Sequence, residues 1–344
     1  LNKPNEFGEV LRRLLAKPTF GSLDGRQIVL SLPEHQCYHY VLPIQSWEGD
    51  GGMFAQVQNQ VTTRLPLPID AVYWDWRIVQ EQGARVFVYV CAAARETLDP
   101  YLTSLRALGL VVAAVEPQVL SAQRVLWPTP TLQEPVLFLD IGTQETSVAT
   151  IDDLGIHQSS VVPAGIGPAI DLLTRKLKTQ GAVVEKVVKT IGLRNVKHDK
   201  TALIHEAINE QARAILAEAS QHVSYYQSQT HVKPSLIKQV VVVGGGSLIP
   251  GMPETLAQEL KLTPQLPATH ATLKPALAPQ DLALLVNALG SAIRGTYDQE
   301  RGRQELNMLV TRRNYEDGKK SPLAFLGRLF KRSARTQPDE PPSP

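Results

Sequence analysis

Short apolar runs alternate with helical stripes along most of the chain, which is the pattern of an α/β protein. Residues 27–32 form an apolar run before Pro33, and similar runs at 136–139 and 240–243 also predict buried strands. The segment 201–228 predicts a long helix, because its apolar residues recur every three or four positions. Further strands are predicted at 37–44, 71–79, 84–90, 110–115 and 146–151, and further helices at 7–15, 53–64, 97–107, 117–126, from Pro168 to Gly181, and at 281–294.

A proline-rich segment divides the chain into two halves. Three prolines fall within Trp127–Pro135, and they predict a stiff, extended crossing between domains. A chain of 344 residues is also longer than the chains that usually fold around a single hydrophobic core. We therefore predict domains at 1–130 and 131–295, followed by a tail at 296–344 in which no core pattern is left.

Composition narrows the class of protein. The 35 basic and 33 acidic side chains nearly cancel, which argues against nucleic-acid binding. Cys37 and Cys91 lie far apart, so neither a disulfide framework nor a cysteine zinc site is predicted, and a reducing cytoplasm fits best. No apolar run approaches the roughly 20 residues of a membrane-spanning helix, and no signal peptide is evident. Because residue 1 is leucine, we expect the chain to be a piece of a longer one.

A tight turn follows the predicted strand at 136–139. Asp140 and Gly142 stand in this turn, and Thr143 and Thr146 add hydroxyl groups. Gly142 has no Cβ to keep the backbone N–H groups from a phosphate, and Asp140 stands where it could hold Mg²⁺ through water. An ordinary aspartate–glycine β-turn explains the same residues equally well.

A second glycine-rich turn follows the predicted strand at 240–243. Gly244, Gly245 and Gly246 precede Ser247, and bare backbone of this kind lets a flat ring system lie against the chain. A tight connection between a strand and a helix also uses glycines. Two such turns about 100 residues apart in one domain favour nucleotide binding.

Two further features lie between these turns. Gly165 and Gly167 open a predicted helix, whose N-terminus could face an anion. Glu185 and Lys189 are four residues apart on another predicted helix. A surface ion pair is the simpler interpretation of these two residues, and binding of ribose hydroxyls is the functional one.

Taken in order, these motifs resemble those of the actin, Hsp70 and sugar-kinase ATPase superfamily. The resemblance rests on Asp140-Ile-Gly-Thr, on the helix start at Gly165-x-Gly167, on Glu185 with Lys189, and on Val-Val-Val-Val-Gly244-Gly245-Gly246. Over about residues 1–295 the chain most resembles the PilM family, actin-like ATPases of type IV pilus assembly that are related to FtsA. This implies an actin-like (ribonuclease H-like) α/β fold of two domains, with a small subdomain inserted at about 34–95.

The resemblance also implies a ligand and a partner. It places ATP between the two domains, with Mg²⁺ near Asp140, adenosine at Gly244–Ser247, and ribose between Glu185 and Lys189. It implies at most weak ATPase activity, in a cytoplasmic scaffold that lies at the inner face of the cell membrane. There the protein would dock the N-terminal segment of a PilN-like inner-membrane protein in a groove of the first domain. Other pilus platform proteins and self-association are further expected contacts.

One motif of the superfamily has no match before Asp140. The first phosphate loop, another Asp-x-Gly-Thr turn, normally lies near the N-terminus, so either it precedes Leu1 or nucleotide binding is weak. Two other functions of the superfamily stay open, namely an FtsA-like, membrane-tethered filament protein of cell division and a small-molecule kinase. No His, Cys or carboxylate is placed for sugar phosphorylation, which argues against the kinase.

The tail after Gly295 is strongly basic. Residues 301–335 carry ten basic and three acidic side chains, a net charge of +7. Over 321–335 apolar and basic residues fall on opposite faces, which predicts an amphipathic helix on an anionic membrane surface. A solvated linker or a helix packed on a partner is the alternative. Residues 305–309 (Glu-Leu-Asn-Met-Leu) resemble the Asn-Leu-Leu type core of PilN's docking segment, so they would either dock in cis or form an ordinary linker.

Overall fold

The computed structural model describes residues 4–18, 25–44, 52–82, 85–127, 134–152, 155–197, 199–228, 236–265, 277–295 and 306–309. The helices in these ranges are α1 (Pro4–Ala16), α2 (Gly52–Arg64), α3 (Arg95–Ala107), α4 (Gln118–Leu126), α5 (Ile166–Leu177), α6 (Gly181–Ile191), α7 (Thr201–Ser228), α8 (Met252–Leu260) and α9 (Pro279–Gly295). The strands are β1 (Gln27–Leu32), β2 (Tyr38–Ile44), β3 (Val72–Gln82), β4 (Arg85–Ala94), β5 (Val111–Pro117), β6 (Val136–Ile141), β7 (Thr146–Asp152), β8 (Gly155–Val162), β9 (Gln239–Val243) and β10 (Thr263–Gln265). The predicted tail helix at 321–335 and most of the proline-rich crossing lie outside the described residues.

The strands form three sheets. The largest has the order β10-β9-β6-β7-β8, in which β6 pairs in parallel with β9 and antiparallel with β7. β1 and β5 form a parallel pair, and β2, β4 and β3 form an antiparallel sheet. Parallel neighbours need a long crossover, and the helices α5, α6 and α7 supply it between β6 and β9.

Three apolar cores hold these layers together. One lies between a face of the five-stranded sheet and helices α5 to α8. Another lies within the sheet β2-β4-β3 and α2, where Val57 and Val61 are fully buried. The third combines the opposite face of the five-stranded sheet with β4, α4 and α9. Because the two halves of the chain share this third core, the domain limits at 1–130 and 131–295 stay a prediction.

Local predictions were wrong at three places. Helix α5 begins at Ile166, so that Pro168 is its third residue rather than its first. It ends at Leu177, where Lys178 takes the left-handed conformation (φ 49°), and Gly181 begins α6 instead of stopping α5. The tail also rejoins the core, because Leu306 and Met308 are buried in it. Four residues are too few to display a periodic pattern, so the sequence offered docking in cis only as an alternative to an ordinary linker.

The buried His222 of α7 gives the fold an acid-sensitive point. Its Nε2 lies 2.8 Å from the hydroxyl of Ser160, and Glu218 is the nearby charged group. Burial lowers the pKa of His222 to about 4, although Glu218 acts in the opposite direction. Because this pKa is lower than the ordinary value of the unfolded chain, uptake of a proton favours unfolding. The contribution of neutral His222 to the free energy of unfolding is therefore present above about pH 6.5 and is lost as the pH falls toward 4.

We therefore expect the free energy of unfolding to fall by about 2 kcal/mol between pH 7 and pH 5 on account of this one side chain. Urea denaturation at pH 5, 6 and 7 measures the effect. In His222→Gln, which cannot take up the proton, the fall in the free energy of unfolding between pH 7 and pH 5 should be smaller by this amount. An unchanged pH dependence in this variant would contradict the assignment.

Candidate functional site

Two loops meet at one edge of the five-stranded sheet. Strand β6 delivers Asp140 and Gly142, and strand β9 delivers Gly244, each at its carboxyl end. β6 and β9 are parallel neighbours with Asp140 opposite Val243, so both loops open on the same side. The carboxyl ends of such strands are the usual place for a ligand in α/β proteins.

The glycines of the second loop have different surroundings. A Cβ at Gly244 would overlap the carboxylate of Asp140 and lie 2.6 Å from the carbonyl oxygen of Ile141, and its φ is +80°. A Cβ at Gly246 would overlap the side chain of Ile141. At Gly245, by contrast, nothing lies within 4 Å. Gly244 and Gly246 therefore let the two loops touch, and only Gly245 presents bare backbone to open space.

The turn at Gly165 and Gly167 also packs on the first loop. The N–H of Ile166 donates to the carbonyl of Gly142 at 3.1 Å, and that of Gly167 donates to the carbonyl of Thr143 at 2.6 Å. A Cβ at Gly165 or Gly167 would lie 2.6 or 2.7 Å from the Thr143 carbonyl oxygen. These N–H groups at the start of α5 are thus bonded to the protein itself, and their role is to hold the first loop in place.

The hydroxyl groups of the two loops also differ in whether they face the protein or open space. Thr146 is buried and donates to the carbonyl of Ala164 at 2.6 Å, and Ser247 closes its own turn by donating to the carbonyl of Gly244 at 2.7 Å. These are positioning roles, and they differ from the phosphate contact predicted for Thr146. Thr143 is exposed at the tip of the first loop, where its side chain is open to a ligand.

Asp140 lies at the base of the site. Its Oδ2 accepts a hydrogen bond from the Nδ2 of Asn287 in α9 at 2.9 Å. Burial raises the pKa of Asp140, the bond from Asn287 lowers it, and the charge of Glu34 raises it, with a net shift upward. Among the described residues no three His, Cys, Asp or Glu side chains form a metal-binding cluster. A magnesium ion at Asp140 would therefore take its other ligands from water and phosphate, as Mg²⁺ commonly does.

The turn after β1, which the sequence did not single out, contacts the first loop. His35 Nδ1 lies 3.0 Å from Glu145 Oε1, which joins this turn to the first loop. The neighbouring Glu34 is buried, accepts a hydrogen bond from the N–H of Val119 at 2.8 Å, and lies 2.9 Å from His39 Nε2. Neither residue belongs to a glycine motif, so only the folded chain reveals their place.

Glu185 and Lys189 form an ion pair on the surface of α6, with 2.6 Å between Oε1 and Nζ and about half of each side chain exposed. The end of α6 is fixed beside the second loop, because the N–H of Leu193 donates to the carbonyl of Pro250 at 2.7 Å. Gly192 makes this approach possible, since a Cβ there would overlap that carbonyl. The pair therefore lies about one turn from the helix end that packs against the second loop.

Buried charges join the two halves of the chain. Glu116 at the end of β5 accepts hydrogen bonds from both terminal nitrogens of Arg124 in α4, at 2.7 and 2.8 Å, and from Ser121 at 2.6 Å. Arg294 of α9 also bonds to Glu116. Burial acts to raise the pKa of Glu116, but the two arginines outweigh it and hold the pKa below its ordinary value.

The fold resembles that of known proteins, although the sequence matches no protein-family model and no curated protein. A chain of the solved PilM–PilN type IV pilus biogenesis complex superposes with a TM-score of 0.67 at 20% identity, covering 86% of each chain. MreB 5 of Spiroplasma citri bound to AMPPNP is a weaker match, with a TM-score of 0.47 at 15% identity over 65% of this chain and 67% of that one. The actin-like α/β fold and the resemblance to PilM are thus confirmed as a likeness of fold. In the described parts of the chain no helix has the length and apolar character to cross a bilayer.

Proposed function

We propose that this protein is an actin-like scaffold of type IV pilus assembly that binds ATP and Mg²⁺ between its two halves and docks a PilN-like inner-membrane protein. The observation that carries the nucleotide part is the meeting of Asp140, the Thr143 loop and the open backbone of Gly245 at one sheet edge. The likeness of fold to a chain of the PilM–PilN complex supports the pilus part.

The residues of the site fit Mg-ATP. Asp140 provides the carboxylate for a hydrated metal ion, and the exposed Thr143 provides a hydroxyl next to the phosphates. Gly245 leaves room for the adenine ring, and the polar ends of Glu185 and Lys189 suit the ribose hydroxyls. When bound, the nucleotide would supply a large negative charge that draws the surrounding donors together.

The other residues of the site prepare it for the ligand. Asn287 orients the carboxylate of Asp140, and Thr146 ties the first loop to Ala164. The contact between His35 and Glu145 joins the turn after β1 to the same loop. A change at the loop would therefore reach both halves of the molecule, which is what a nucleotide-dependent scaffold requires.

Replacing Gly245 by valine should weaken the binding of Mg-ATP at least about 10-fold while leaving the thermal midpoint of unfolding within about 2 °C. The Cβ of the new side chain has no protein atom within 4 Å, and the side chain extends into the space proposed for the ring. Isothermal titration calorimetry with magnesium present measures the affinity.

Gly25→Val is the matched control, because Gly25 also has nothing within 4 Å and lies outside the site. It should bind Mg-ATP as the unaltered protein does. Equal affinity for Mg-ATP in the Gly245 and Gly25 variants would remove the second loop from the proposed site. No binding by the unaltered protein would end the nucleotide part of the proposal.

Membrane contact through 321–335 belongs to the same proposal, and it places the scaffold at the inner face of the membrane. Its support is the segregation of apolar and basic residues in the sequence, with about 1 kcal/mol gained for each basic residue near an anionic surface. Cosedimentation with vesicles containing anionic lipid should depend on these residues and weaken at high salt.

A further inference from the structure

Four residues of the tail lie inside the first half of the protein. Leu306 and Met308 are 0% and 1% exposed, and they pack in the core that β4, β5 and α4 help to form. They follow the end of α9 after ten residues of sequence. A short segment thus returns from the last helix to a strand that lies about 190 residues earlier in the chain.

The segment adds to the edge of β5 that β1 leaves unused. The N–H of Met308 donates to the carbonyl of Val115 at 3.0 Å, and the N–H of Val115 donates to the side-chain oxygen of Asn307 at 3.1 Å. Both groups of one strand residue point to the same side, so the pairing with β1 uses the opposite edge. Met308 and Leu309 lie in a turn, so the segment closes this edge of β5 with single hydrogen bonds and does not continue the sheet as a further strand.

Asn307 is held in the groove through its side-chain amide and its backbone N–H. Its side-chain oxygen accepts from the N–H groups of Val115 and Leu309, and its Nδ2 donates to the carbonyl of Ala113 at 3.1 Å. Its own N–H donates to the buried carboxylate of Asp75 in β3 at 2.8 Å. A side chain that both donates and accepts is needed here, and neither aspartate nor leucine provides that combination.

Apolar contacts on both sides of Asn307 complete the fit. The sulfur of Met308 lies 3.4 Å from that of Cys91 in β4, and Leu309 packs against the same core. The groove, defined by Asp75, Cys91, Ala113 and Val115, therefore holds a short turn in which asparagine stands between apolar residues.

We propose that this groove is a peptide-docking site and that Leu306–Leu309 is its intramolecular occupant, which a partner peptide of the same apolar–asparagine–apolar chemistry must displace. For the identity of that partner, a PilN-like protein, the inference rests on the proposed function. Because the occupant is part of the chain, its effective concentration at the groove is on the order of millimolar, and a free peptide competes poorly against it. Docking of a partner is thereby held back until the tail is withdrawn.

The test uses the full chain with a protease site placed among residues 297–303, outside the docked segment. The probe is a fluorescein-labelled peptide of residues 304–311, whose binding is followed by fluorescence polarisation. Before cleavage the tethered segment should keep the peptide out. After cleavage the tail can diffuse away, and binding of the peptide should strengthen at least about 10-fold.

Two variants examine the role of the asparagine. The labelled peptide with Asn307→Ala should bind the cleaved protein at least about 10-fold more weakly, because it cannot satisfy Val115 and Ala113. The uncleaved chain carrying Asn307→Ala should admit the unaltered peptide without proteolysis, because its own segment is held less firmly.

The inference is overturned if the cleaved protein keeps its tail against excess peptide, or if it loses its circular dichroism spectrum when the tail leaves. Either result makes the segment an integral part of the core. Equal binding of both peptides would show that the groove does not recognise the side chain of Asn307. The probe contains neither nucleotide nor PilN, so a failure here leaves the Gly245 experiment untouched, and a failure there leaves this test valid.

Discussion

Replacing Gly290 by alanine is expected to lower the free energy of unfolding by about 3 kcal/mol or more. Gly290 lies where α9 crosses α4, and a Cβ there would overlap the backbone carbonyl of Ser121 and lie 2.9 Å from its Cα. A backbone cannot move aside as the end of a flexible side chain can, so the two helices would have to separate. Urea denaturation followed by circular dichroism measures the loss.

A matched substitution elsewhere should have the opposite sign. Gly8 lies inside α1, where a Cβ would meet only the Cβ of Ser104 at an ordinary 3.8 Å. Gly8→Ala is therefore expected to stabilise the protein by about 0.5–1 kcal/mol, because alanine forms helix better than glycine. If the two variants behaved alike, the close crossing of α4 and α9 would be wrong.

Replacing Glu116 by glutamine should cost about 3–5 kcal/mol. Glutamine has nearly the same shape, but it leaves the buried guanidinium groups of Arg124 and Arg294 without their carboxylate. Removing one partner of a buried ion pair costs far more than the pair contributes, because the remaining charge is uncompensated. Urea denaturation at neutral pH measures this loss as well.

Glu185→Gln is the control for the same chemical change. Glu185 and Lys189 are about half exposed, so loss of this ion pair should change the free energy of unfolding by no more than about 0.5 kcal/mol. A small effect at Glu116 would mean that the guanidinium groups find other partners or reach solvent.

Both sensitive positions lie where the two halves of the molecule join. Gly290 allows the contact of α4 with α9, and its own carbonyl accepts a hydrogen bond from Arg124 at 2.8 Å. Glu116 links Arg124 to Arg294 across the same contact. Asn287 of the same helix α9 bonds to Asp140, so this joint and the proposed nucleotide site share one helix.

Local patterns determined much of the fold. The strand at 27–32 and the helix at 201–228 were predicted with the bounds that the structure shows, because alternation and helical stripes are properties of neighbouring residues. The buried character of the run at 240–243 also indicated a parallel strand, and β9 has parallel neighbours on both sides. Two glycine turns in one domain favoured a shared nucleotide site, and the parallel pairing of β6 with β9 is what brings the turns together.

The individual roles within the site required the tertiary structure. A sequence shows that three glycines follow β9, but it does not show that Gly244 and Gly246 face protein atoms while Gly245 faces open space. Nor does it show that Thr146 points inward or that Asn287 reaches Asp140 across 147 positions of sequence. Which side of a turn meets the protein depends on the elements packed beside it, and these come from distant parts of the chain.

The sequence by itself determined the kind of fold, the positions of its two central turns and the resemblance to PilM. Only the tertiary structure decided which atoms of those turns are open to a ligand, which buried charges join the halves, and that Asn307 lies in the groove beside β5. The physical reason is the separation in sequence of the residues that interact. Secondary structure follows from neighbouring residues, whereas a site is made by contacts between residues far apart in the chain.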